Sequence, residues 1–144
     1  MSRRVHVDAN VILRFLRNDD PEQSPIAAGF FNRTQEGSLK AIVSPVTVAE
    51  VFYVLASTYA MPRPEVAKVL LTFLTSDLVS CEDKGVAVDA LTRITSNRIS
   101  FGDAYLVASA NLAGEELASF DKGISALKDV RLYPLPAAAK ARGK

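Results

Sequence analysis

In VHVDANVILRFLR (5–17) an apolar run meets a carboxylate, Asp8, and then changes period. Residues 5–8 read as a short strand. From Asn10 the apolar residues fall at 11, 12, 13, 15 and 16, which suits a helix over 10–17. A strand that leads straight into a helix sets the expectation for the chain, and the alternation recurs to its end.

"AIVS" (41–44) reads as a second strand, "LVSC" (78–81) as a third, "LASF" (117–120) as a fourth and "VRLYPL" (130–135) as a last one. Helical patterns cover 22–36, 45–60, 62–76, 84–95, 102–114 and 122–127. Pro45 sits at a favourable first-turn position, and Gly37 and Gly114 stand where helices stop. Strands alternating with helices predict a parallel sheet covered by helices. The fold class expected is three-layer α/β/α with a central, mostly parallel sheet of four to five strands. In such folds sites lie beyond the carboxyl ends of the strands. One domain over 1–136 is expected, followed by a basic, solvated tail over 137–144.

At 144 residues the chain has the length of a single domain able to bury a core. It is 49% apolar and 23% charged, near the globular average. Its 17 basic and 16 acidic residues leave a net charge of +1, which gives no case for tight non-specific nucleic-acid binding. Basic residues gather late: Lys122, Lys128, Arg131, Lys140, Arg142 and Lys144 face Asp129 alone. A single cysteine, Cys81, excludes an intrachain disulfide framework and suits a reducing cytoplasm. No secretory signal and no long uninterrupted apolar run is visible, so a soluble, cytoplasmic chain without a membrane span is expected.

The acidic residues carry the chemistry. Asp8 and Asp121 each end a strand and precede a helix, so each suits an N-cap as well as a site. Asp103 in "SFGDAYLVASA" suits the first turn of a helix, where a negative charge meets the dipole. Glu50 lies mid-helix in "SPVTVAEVFYVL", among apolar neighbours, and is expected to be buried; a buried carboxylate needs a cation or a proton. A parallel sheet brings these four toward one pocket, and four carboxylates a few ångströms apart need cations to stay ionised. Oxygen-rich sites poor in histidine and cysteine suit Mg2+ or Mn2+. The lone His6 leaves zinc unsupported and takes a structural or surface role. Asn10 and Ser125 suit hydrogen bonding to a carboxylate, or service to their own helices. Of the adjacent Phe30 and Phe31, a helix can bury one fully; the other is harder to hide.

"VDANVIL", "SPVTVAEVFYVL", "SFGDAYLVASA" and "SFDKG" resemble, in order and spacing, the four acidic blocks of PIN-domain ribonucleases, most closely the VapC-like toxins of toxin–antitoxin pairs. The resemblance runs from Val5 to about Leu135. It implies that Asp8, Glu50, Asp103 and Asp121 hold a divalent metal, with Asn10, Ser119 and Ser125 in support. It implies metal-dependent hydrolysis of RNA, a homodimer, and an antitoxin whose tail fills a groove near the site. Ala9 and Ser119 depart from the Thr or Ser frequent in the first block and the Thr common in the last; both changes touch hydrogen bonding rather than metal charge. Arg98, Arg14 and Arg17 stand where they could meet RNA phosphate, against the ordinary alternative of solvation or ion pairing.

Two other acidic-pocket enzyme classes fail on residues. A haloacid-dehalogenase-type phosphatase needs an Asp at Asn10, and a phospho-receiver needs paired acids and a differently placed lysine. The remaining alternative is a non-catalytic PIN-like module that binds RNA or protein.

Overall fold

The computed structural model describes residues 3–136; the basic tail expected over 137–144 lies outside the described residues. Three strands, β1 (Arg3–His6), β2 (Leu39–Val43) and β3 (Ser80–Cys81), form one parallel sheet in the order β1-β2-β3. Seven helices join and follow them: α1 (Ala9–Arg17), α2 (Gln23–Gln35), α3 (Pro45–Ser57), α4 (Arg63–Leu74), α5 (Lys84–Ile94), α6 (Phe101–Ala113) and α7 (Lys122–Ser125).

The register pairs Val5 with Ala41 and His6 with Ile42, and Val43 with Cys81. Ala41, Ile42 and Val43 of β2 are all buried. Successive strand residues point to opposite faces, so helices must cover both sides of β2. This is the helix-rich, parallel α/β fold expected from the alternation.

The sheet holds three strands among the described residues, not four to five. The strands expected at 117–120 and 130–135 shrink to one parallel bridge, Leu117 with Leu132. Leu117 is the buried residue of its segment, while Ala118, Phe120, Leu132 and Tyr133 are exposed. Exposed apolar residues gain little from pairing there, and Pro134 and Pro136 lack the N–H a ladder requires.

Phe31 is 1% exposed, with its ring centroid 4.6 Å from Phe15 and 5.6 Å from Phe73. Phe30 remains half-buried, edge-on to Phe31 at 5.1 Å, so the pair divides as helix geometry demands. On α5 and α6, Ala87, Ala90, Ala104 and Ala108 are fully buried, and their small side chains let these packed helices approach closely.

Behind α6 the chain is fastened by charge. The Arg93 guanidinium donates to both oxygens of Asp129, at 3.0 and 2.6 Å, and to Asp89 at 3.2 Å. Asn111 Nδ2 donates to the Asp129 carboxylate and carbonyl, each at 3.0 Å. The Arg93 hydrogen bond holds the Asp129 carboxyl below its usual range. A depressed carboxyl pKa contributes stability above its unfolded value of about 3.9 and loses it as the pH falls through the folded one. Acidification below about pH 4 is therefore expected to loosen the 117–133 segment. In Asp129→Asn, urea midpoints should fall less steeply with pH in that window. Phe31→Ala should cost about 3–5 kcal/mol in urea unfolding, and Phe30→Ala distinctly less.

A carboxylate-lined candidate site at the carboxyl edge of the sheet

Parallel strands end at one edge, and there β1 and β2 hand over to helices through side-chain caps. Asp8 Oδ1 accepts the N–H of Val11 at 3.2 Å and starts α1. Ser44 Oγ accepts the N–H of Thr47 at 3.3 Å and starts α3, with Pro45 in its first turn. Ser44 was not among the expected site residues, although a serine before a helix-opening proline is a sequence signature of a cap.

Glu50 stands in the second turn of α3 and is exposed, not buried. The helix buries Val48, Val51, Phe52 and Leu55 and turns Val46 and Tyr53, 77% and 70% exposed, to the same water as Glu50. Apolar side chains need not all be inside, so apolar neighbours in sequence did not imply burial. In water the Glu50 carboxylate needs no compensating cation.

Asp103 lies in the first turn of α6, half-buried, behind a Ser100 cap whose Oγ accepts its N–H at 3.1 Å. The approach of α6 to α3 is set by Phe101, 6.1 Å from the Phe52 ring. Arg63 secures the same corner: it donates to the Ile99 carbonyl and lies over Phe52, 5.1 Å from its centroid. Asp121 caps α7, its Oδ2 accepting the N–H of the buried Ile124 at 2.9 Å. Ser119 Oγ accepts the Asp121 N–H at 2.9 Å, so Ser119 orients Asp121 directly. Ser125 instead bonds the Lys122 carbonyl of its own helix, at 3.2 Å. Gly123 is a second residue the sequence did not single out: a Cβ there would lie 3.0 Å from Asp121 Oδ2.

Asp8, Asp103 and Asp121 thus sit at helix N-termini, and Glu50 is one turn further along its own helix. Asp8 and Asp121 each commit one carboxylate oxygen to a cap and keep the other. None of the four is held in an ion pair among the described residues. These hard oxygen donors have the chemistry of a magnesium or manganese site. Their spacing does not yet close on one: among the described residues, no three His, Cys, Asp or Glu side chains stand near enough to share an ion. Burial pushes the Cys81 thiol up to about 11, so it is protonated at neutral pH.

A cavity of about 560 Å³ opens beside Asp8, lined by Asn10, Arg14, Ile26, Ala27 and Phe30, with the exposed His6 at its wall. Arg14 is engaged there, bonded to Gln23 at 2.9 Å and paired with Asp19 and Asp20 at 3.6 and 3.9 Å. Arg17 lies over Tyr59, 4.6 Å from its centroid, and reaches Met61. Both arginines fasten α1 to its neighbours. Arg98 is exposed and makes no ion pair among the described residues.

No helix among the described residues is long and apolar enough to cross a membrane. A family model described as the PIN domain matches residues 5–130. No curated protein and no solved structure matches the chain.

Proposed function

The chain belongs to the PIN-domain family, whose members are in general nucleases that need divalent metals, and from that premise we propose a Mg2+- or Mn2+-dependent endoribonuclease that serves as the toxin of a type II toxin–antitoxin pair. The observation that carries the reading is the family match over 5–130 together with Asp8, Asp103 and Asp121 at the beginnings of α1, α6 and α7 and Glu50 one turn into α3.

Asp8, Glu50, Asp103 and Asp121 would hold the metal. When bound, a divalent cation offsets charge on the scissile phosphate and acidifies water. The chain's own groups do the positioning. Ser119 fixes the backbone of Asp121, and Ser100 that of Asp103. Asn10, exposed in the lining of the cavity beside Asp8, would hydrogen-bond the attacking water. A carboxylate oxygen left free by its cap takes the proton from that water as the new P–O bond forms and the old one breaks. Arg98, exposed and in no ion pair among the described residues, would meet a neighbouring phosphate.

Two partners accompany this reading. The cavity beside Asp8, with Ile26 and Phe30 on its wall, suits the apolar side chains of an antitoxin segment. The exposed Val46 and Tyr53 of α3, and the exposed Leu106 and Leu112 of α6, suit a second copy of the chain. An RNA substrate and a lone cysteine both go with a cytoplasmic home. The second reading, a non-catalytic module binding RNA or protein, draws on the exposed Glu50 and on carboxylates that do not yet converge.

The test is cleavage of a mixed RNA pool by the partner-free protein in Mg2+, Mn2+ or EDTA. Asparagine caps helices as well as aspartate, so Asp8→Asn removes the charge and leaves the fold. Metal-dependent cleavage by the wild type, reduced about a hundredfold or more in Asp8→Asn, is expected. RNA binding without cleavage in either metal would favour the module instead. Gly123→Ala should lower turnover by about ten- to a hundredfold through the displaced Asp121 carboxylate, although alanine is the better helix former. Circular dichroism should show both variants folded.

A further inference from the structure

Strand β2 has a neighbour on each side except at its start. Its bonds alternate: the Ile42 carbonyl accepts the Val7 N–H at 3.0 Å on the β1 side, and the Val43 carbonyl accepts the Glu82 N–H at 3.0 Å on the β3 side. Ala41, two residues before Val43, turns to the β3 side as well. There β3 begins only at Ser80, level with Ile42. The carbonyl that a longer ladder would offer to the Ala41 N–H belongs to Leu78, outside the strand, and no hydrogen bond joins the two among the described residues. Ala41 is 1% exposed, so its N–H is a buried donor without a protein acceptor. Such groups are rare in folded proteins, because leaving one unpaired costs about as much as a lost hydrogen bond.

A cavity of about 380 Å³ lies where the ladder stops, with Ala41 in its lining. The polar side chains around it are Thr34, Lys40, Ser76, Asp77, Ser80 and Lys84. Thr34 and Ser76 have committed their hydroxyl protons to the carbonyls of Phe31 and Phe73, each at 2.7 Å. The Ser80 hydroxyl and both lysines have no partner among the described residues. Arg4, aligned with Lys40 in the register and exposed like it, adds a third cation outside any ion pair. Like charges side by side on a sheet destabilise it. Edge strands carry such charges to repel other chains, but Lys40 is on the central strand, which needs no such guard. A water molecule would satisfy the Ala41 N–H and leave the cations as they are. An oxyanion answers both, and the one acid in the lining, Asp77, leaves the positive charge in excess. The volume is that of a small-molecule site.

We infer that this cavity binds a phosphate group, with one oxygen on the Ala41 N–H and the others met by Lys40, Lys84 and the Ser80 hydroxyl. It lies at the start of β2, whereas Asp8 follows the end of β1, so it is separate from the carboxylates and independent of the nuclease reading. A free phosphate ester and the terminal phosphate of an RNA chain offer the same chemistry.

The test reads the Ala41 amide itself. Backbone amide spectra of isotope-labelled full-length protein are followed during titration with inorganic phosphate, ionic strength being held constant with chloride. Adenosine monophosphate and a short RNA, with and without a terminal phosphate, are then titrated in the same way. The Ala41 resonance should move downfield and saturate with phosphate, and stay in place in chloride alone. Lys40→Gln and Lys84→Gln should each weaken binding by about ten- to a hundredfold. Asp77→Asn should tighten it by about two- to fivefold. All three side chains are exposed, so the remaining amide resonances should report an intact fold. Saturation by phosphate and the mononucleotide alike assigns the site to a free ester. Binding of the end-phosphorylated RNA more tightly than either, lost when its terminal phosphate is removed, assigns it to an RNA end. An Ala41 resonance that phosphate leaves in place overturns the site. So does binding that is equal in wild type, Lys40→Gln and Lys84→Gln, or that Asp77→Asn weakens. Whether the protein cleaves RNA changes none of these outcomes.

Discussion

Strand β2 is buried on both faces and hydrogen-bonded along both edges, and this double enclosure organises the molecule. A backbone so placed must satisfy its N–H and C=O groups in the ladder, because water does not reach them. Parallel neighbours meet that demand and need helical crossovers to return the chain. The crossovers then supply the cover that buries Ala41, Ile42 and Val43. Helix beginnings at one edge of the sheet follow from the same constraint, since each strand of a parallel sheet leaves on the same side.

That edge is where capping and ligation draw on the same residue types. A helix N-terminus presents unsatisfied N–H groups, and short polar or acidic side chains answer them. Asp8 and Ser44 do so at that edge, and Ser100 and Asp121 do so at the starts of α6 and α7. The caps fix the backbone and spare one oxygen of each capping carboxylate. Acidic side chains positioned this way are placed by secondary structure rather than by a dedicated loop. The expense is electrostatic: the negative groups are kept in water, where repulsion between them is weak.

Much of this was legible because the governing physics is local. The change of period after Asp8, the cap residues, and the glycines at positive φ, Gly37 and Gly114, act within one or two turns of chain. The resemblance gave Ser119 only as support for the acidic set as a whole; the local bond it makes is to the Asp121 N–H. What depended on packing was read less well. Glu50 looked buried because α3 is mostly apolar, but a helix buries only the face its neighbours cover, and nothing in the sequence of α3 says which face that is. The last two strands looked adequate as apolar runs, yet a strand exists only where a partner and a cover exist. The spacing of the four carboxylates is longer-ranged still. It depends on how α1, α3, α6 and α7 come to rest against one another, a sum over contacts that no motif carries.

The segment that bears Asp121 is joined to the body by the Leu117–Leu132 bridge, by Leu117, Ile124, Leu127 and Val130 against the core, and by Arg93 and Asn111 on Asp129, and it has no place in the sheet. Such a segment opens with a smaller free energy than the core it lies on. Heat then acts on the chain in two stages. The strap lifts first, taking one acidic corner out of position while β2 and its helices stand. Order around Asp121 fails at a temperature below the one at which helical signal is lost, and between the two the loss reverses on cooling, because the strap has only to lie down again on a surface that never came apart.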